Sequence, residues 1–128
     1  MRFVPTKIHA MFDYVGGVVL ILAPMIFRFE YVGGPAVILP RIIGVVLIAY
    51  SLLTNYELGL FKVLPMAYHL VIDFAGSLFL AISPWLFGFS DEALNAWLPH
   101  VVLGVGVIGL VLVSKTEAGM RLRPVKAS

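Results

Sequence analysis

His9 and Asp13 stand four residues apart in His9-Ala10-Met11-Phe12-Asp13, and His69 and Asp73 repeat that spacing in His69-Leu70-Val71-Ile72-Asp73. On a helix, residues i and i+4 share a face, so each imidazole can reach its own carboxylate. Such a pair can fix one imidazole tautomer, carry a proton, or offer a nitrogen and an oxygen to a divalent cation. Glu57 and Glu117 recur at the same offset of sixty and add two carboxylates. If the copies converge, His9, Asp13, His69, Asp73, Glu57 and Glu117 form one polar layer able to bind a metal or share protons. If they stay apart, each His–Asp pair locks the register of its own helix, with Tyr14, Asn55, Tyr56 or Tyr68 as neighbours. The glutamates also have a plainer reading. Thr54-x-x-Glu57 and Ser114-x-x-Glu117 fit a capping box, which predicts a short interfacial helix after each span.

The elements that must position these residues are apolar. Of 128 residues 61% are hydrophobic and only 12% charged, with a mean hydropathy of +1.02. That charged share is roughly half of what a soluble domain uses to cover its surface. Four apolar blocks, near 8–29, 37–56, 66–87 and 94–114, are each long enough to cross a hydrocarbon core about 30 Å thick. The first block has no small-residue cleavage site and has a later twin, so it reads as a span and not as a secretory signal. With no cysteine, the chain is excluded from thiol redox chemistry, disulfides, CxxC haem attachment and cysteine-ligated zinc.

Charge placement predicts orientation. Arg2, Lys7, Lys62, Lys115, Arg121, Arg123 and Lys126 fall at the termini and in the loop after the second block. Arg28 and Arg41 fall on the other side with Glu30, Asp91 and Glu92. The positive-inside rule then places both termini in the cytoplasm of a multi-pass protein of the cell (inner) membrane. The basic residues are too few and too scattered for nucleic acid.

An internal repeat organises the chain. At the offset of sixty, Gly16, Leu20 and Pro24 meet Gly76, Leu80 and Pro84, while Gly44, Ile48 and Leu52 meet Gly104, Ile108 and Leu112. Leu39-Pro40-Arg41 and Leu98-Pro99-His100 match with a shift of one and read as outer turns. The expected fold is an all-α bundle of four transmembrane helices, built from two tandem, parallel two-helix repeats over residues 1–64 and 65–128. Positions 9, 13, 16, 20, 24 and 27 trace one helical face. That stripe is expected to meet the partner helices, with Gly16 and Gly76, and further small residues (Gly17, Ser77, Ala81, Gly104, Gly106, Gly109), allowing close packing.

Ser83-Pro84-Trp85, near the outer end of the third block, resembles the motif of the SPW repeat family of bacterial and archaeal membrane proteins. The first copy keeps only the proline, in Ala23-Pro24-Met25. The resemblance implies architecture and membrane location, and no biochemical activity. The motif itself has a structural account. A helical proline frees a carbonyl, the preceding serine can bond back to it, and the tryptophan suits the interface.

The function expected is that of an integral membrane protein of structural or interaction type without catalytic residues or cofactor. The alternative is a small cation- or proton-handling, or divalent-metal-binding, membrane protein that uses the His/Asp/Glu layer. No nucleophile–base pair, phosphate loop or cofactor fingerprint supports an enzyme. The expected partners are the lipid bilayer and a second copy or another membrane protein.

Overall fold

A computed structural model describes residues 2–116. Its elements are α1 (Thr6–Ile26), a 3-10 turn (Glu30–Val32), α2 (Pro35–Leu53), α3 (Met66–Leu86) and α4 (Leu94–Val113). The helices hold 21, 19, 21 and 20 residues and are all apolar enough to cross a membrane. At about 1.5 Å per residue, each matches the hydrocarbon thickness. Val15, Val18, Ile42, Val45, Val71, Leu78, Val102 and Val105 point outward on every helix, which suits a bundle whose solvent is lipid. The four-helix architecture expected from the apolar blocks is therefore the one observed.

Each pair of consecutive helices forms a hairpin, α1 against α2 and α3 against α4. Small residues set how closely they approach. A Cβ on Gly44 would stand 2.6 Å from the Gly17 carbonyl oxygen, and one on Gly104 would stand 2.6 Å from that of Ser77. Gly17 and Ser77 occupy the same place in the two hairpins, as do Gly44 and Gly104. The expectation for Gly16 and Gly76 needs correction. A Cβ at either would meet nothing within 4 Å, so the close approach belongs to the residue that follows each. Gly106 and Gly109 are likewise open on the outer face of α4.

Prolines shape the half away from the termini without ending the helices. Pro24, Pro40, Pro84 and Pro99 all lie inside helices, so Leu39-Pro40-Arg41 and Leu98-Pro99-His100 are helical segments and not turns. Pro84 has no N–H for the Leu80 carbonyl, and Ser83 Oγ donates to that carbonyl at 2.7 Å. The serine of the Ser-Pro-Trp motif thus supplies the hydrogen bond its proline removes. Trp85 is exposed at the end away from the termini, edge-on to Trp97 with ring centroids 5.8 Å apart.

At the opposite end the chain closes on itself twice. Val4 pairs with Ser114 and Thr54 with Leu64, both in parallel bridges. The bonds correspond: Val4 N–H donates to the Val113 carbonyl at 2.9 Å, and Leu64 N–H to the Leu53 carbonyl at 2.7 Å. Two basic residues sixty apart finish these ends. Arg2 donates to the Val111 and Ser114 carbonyls, both at 2.7 Å, and Lys62 to those of Tyr56 (2.7 Å) and Gly59 (2.9 Å). The Arg2 cation complements the negative end of α4, while Lys62 holds the loop that follows α2. Because Thr54 takes extended backbone and pairs with Leu64, α2 stops at Leu53 and residues 54–65 contain no helix. The capping-box expectation at Thr54–Glu57 therefore fails, and Glu117 lies outside the described residues.

The contrast between Gly44 and Gly16 yields a direct test. Gly44→Ala forces a Cβ onto the Gly17 backbone and is expected to cost about 1–3 kcal/mol. Gly16→Ala has open space and a better helix former, so it should leave stability unchanged or slightly raised. Thermal unfolding of both variants in the same detergent micelle reads the difference.

Candidate functional site

The four residues of the two H-x3-D motifs meet in the bundle interior. His9 and His69 are fully buried, Asp13 and Asp73 nearly so. Their contacts cross between hairpins as well as running along each helix. His9 Nε2 lies 2.9 Å from Asp73 Oδ2 and 3.2 Å from Asp13 Oδ1. His69 Nε2 lies 2.9 Å from Asp13 Oδ2 and 3.1 Å from Asp73 Oδ2. The imidazoles sit edge to face, 5.4 Å between centroids. One donor atom from each of the four residues falls within 4.8 Å of all the others.

Two hydroxyls fix the imidazole tautomers. Ser114 Oγ donates its only proton to the Leu110 carbonyl at 2.6 Å, and Thr54 Oγ1 donates to the Tyr50 carbonyl at 2.7 Å. Each oxygen then has only lone pairs to offer, so His9 Nδ1–H donates to Ser114 and His69 Nδ1–H donates to Thr54, both at 2.7 Å. With Nδ1 protonated on both rings, both Nε2 atoms are turned to the carboxylates. A bare nitrogen lone pair at such a distance from a carboxylate oxygen is repulsive, so a proton or a cation has to lie between them. His69 Nε2 is fully buried, and neither of its carboxylate contacts has hydrogen-bond geometry.

Tyrosines complete the layer. Tyr50 on α2 donates to Asp73 Oδ1 in a short hydrogen bond, and Tyr56 donates to Asp13 Oδ2 at 2.7 Å. Burial, and then the adjacent Asp13 carboxylate, push the Tyr56 hydroxyl above the ordinary phenol range, which keeps it a donor. Both tyrosines come from the first hairpin and its following loop. Their counterparts sixty residues on are Leu110 and Thr116, so the two aspartates have unlike supports.

Glu57 stays outside this layer. It is half-buried and accepts a hydrogen bond from Thr6 Oγ1 at 2.7 Å, tying the loop to the start of α1. Of the expected neighbours, Tyr56 is in the layer. Tyr14 donates instead to the Leu58 carbonyl at 2.8 Å, while Asn55 and Tyr68 are exposed.

Apolar side chains close the centre on both sides. Toward the end away from the termini, buried Leu20, Leu47 and Leu80 pack together with Ile43, Tyr50 and Leu103. Toward the terminal end, Ala10, Tyr56, Met66, Leu70 and Val111 form a second cluster. Beyond the leucines lies a third histidine, His100, from the Leu98-Pro99-His100 segment expected to be a turn. His100 Nε2–H donates at 2.9 Å to the Ala36 carbonyl, the one Pro40 leaves without its helical partner. Phe29 and Phe89 pack against its ring at 5.4 and 4.7 Å. The signal was readable: a proline within a span frees a carbonyl four residues earlier, and lipid cannot satisfy it.

A family model for the SPW repeat domain matches residues 7–114, which include both His–Asp pairs, the helix-interior prolines Pro24, Pro40, Pro84 and Pro99, and the Ser-Pro-Trp motif. The chain belongs to the SPW repeat family. No curated protein and no solved structure matches it. For this SPW repeat protein, family membership and four spanning helices establish a multi-pass membrane protein, and the chemistry rests on its own residues.

The crossed contacts predict a large cost for breaking them. Asp73→Asn removes a carboxylate that faces both imidazoles, and losing one partner of a buried ion pair costs roughly 3–5 kcal/mol. Asp91→Asn, in the exposed loop between α3 and α4, should change stability by no more than about 0.5 kcal/mol. Unfolding curves of the two variants in one micelle type separate these values.

Proposed function

We propose that this SPW repeat protein is a non-conducting structural unit of the cell membrane, in which the His–Asp layer clamps two hairpin halves, residues 1–64 and 65–128, into one bundle. The observation that carries this reading is the crossing of the contacts, His9 to Asp73 and His69 to Asp13. Within each hairpin, small residues already bring the helices together, and lipid gives no hydrophobic force to join one hairpin to the other. Polar contacts in a dry interior can do so, because each group separated from its partner would face hydrocarbon.

Transport through the monomer is disfavoured by the dry layer of Leu20, Leu47 and Leu80. A proton or cation leaving the centre toward His100 would have to cross this leucine cluster. Charge placement supports an inner-membrane orientation with both termini, Arg2 and Lys62 in the cytoplasm. The proposed partners are the bilayer and a second copy, the latter through the open Gly106 and Gly109 face of α4.

Reconstituted into vesicles under a pH or potassium gradient, the protein should give no flux above empty-vesicle leakage. A reproducible current would refute the closed-bundle reading. Orientation has its own test, since the chain has no native cysteine. Asp91→Cys should react with an impermeant maleimide on intact cells, and Asn55→Cys only after permeabilisation. The reverse pattern would invert the topology.

A further inference from the structure

We propose that the His–Asp centre is a binding site for one divalent transition-metal cation of the zinc class, held by His9 Nε2, His69 Nε2 and one oxygen each from Asp13 and Asp73. Three independent features of the site support this. First, the four donor atoms already lie within 4.8 Å of one another. A four-coordinate ion with bonds of about 2.0–2.2 Å holds its ligand atoms roughly 3.3–3.6 Å apart, so only small movements are needed. Second, the tautomers are those a metal requires. Ser114 and Thr54 accept hydrogen bonds from Nδ1–H, which turns both Nε2 atoms inward, as acceptors behind the ring do in established imidazole sites. Third, His69 Nε2 is buried and aimed at two carboxylate oxygens without hydrogen-bond geometry to either. An ion between them would use that lone pair.

The donor set narrows the metal. Two imidazole nitrogens with two carboxylate oxygens suit borderline dications, while the lack of sulfur argues against copper(I). Calcium and magnesium want six or more oxygens or a retained water shell, for which this dry layer has no room. Tyr50 occupies Asp73 Oδ1, which leaves Oδ2 as the oxygen that both imidazoles approach.

Charge balance explains how a membrane interior can hold such an ion. Two carboxylates with two shared protons are neutral, and so are two carboxylates with one dication and neutral imidazoles. Binding is therefore an exchange: two Nε2–metal and two oxygen–metal bonds form, and the two protons between nitrogen and carboxylate leave to solvent. The centre keeps its net charge, which avoids the cost of an uncompensated charge in hydrocarbon.

The test uses full-length, tag-free protein in lipid nanodiscs, stripped with a chelator and titrated with Co2+. One Co2+ per chain should bind with the intense visible bands of tetrahedral coordination, one Zn2+ should displace it, and loading should release two protons into a weakly buffered dye solution. Asp13→Asn should abolish the bands. Ser114→Ala, which keeps all four ligands, should weaken binding by about 10–100-fold. Wild-type protein that leaves Co2+ octahedral, or binding that Ser114→Ala does not weaken, would overturn the site. The clamp depends on unfolding of the metal-free protein, and the metal site on this titration, so either can fail alone.

Discussion

The structure depends on one constraint: four ionisable side chains placed in a low-dielectric interior must together be neutral and mutually satisfied. His9, Asp13, His69 and Asp73 meet it only in company, because each imidazole faces the carboxylate of the other hairpin as well as its own. The surrounding residues follow from that need. Ser114 and Thr54 orient the rings, Tyr50 and Tyr56 take up carboxylate oxygens, and leucines keep water from the outer side. Removing any member strands another, so the layer gives specificity to a bundle whose remaining contacts are mostly interchangeable aliphatic ones.

The half away from the termini answers the same demand by other means. Its problem is backbone, since prolines leave carbonyls without helical donors in a medium that offers none. Ser83 repairs the carbonyl freed by Pro84 from within its own helix, and His100 repairs the one freed by Pro40 from a different helix. The Ser-Pro-Trp motif is thus a local repair, whereas His100 is a long-range one that also ties α4 to α2. Polar residues at both ends, with a dry aliphatic waist between them, describe the molecule along its axis.

Much of this was legible in the sequence because rare residues carried the signal. Apolar blocks of span length foretold four helices, and the recurrence of His, Asp and Pro at one offset foretold that matching positions share environments. The Ser83 repair followed from chemistry alone. Convergence was not legible, because i, i+4 spacing describes one helix and is silent about which helix faces it. Tyr50 was missed for that reason: its partner Asp73 lies in the other hairpin. Thr54 and Ser114 were seen as a repeated pair but given to a following helix, although their proximity to the histidines is tertiary. Gly16 and Gly76 misled because identity at the offset was read as contact, while the substituted pair Gly17 and Ser77 makes the contact.

The two bridges at the terminal end have a topological consequence. Val4 pairs with Ser114 as Leu64 pairs with Thr54, so the joint between the ends of the bundle copies the covalent joint in its middle. Followed through its hydrogen bonds, the chain runs in a closed circle with no first helix and no last. Its order is a cycle of two hairpins, and the opening in that cycle is held by backbone pairing and not by a peptide bond. A chain opened between 54 and 64 and joined between 4 and 114 would trace the same circle from another starting point.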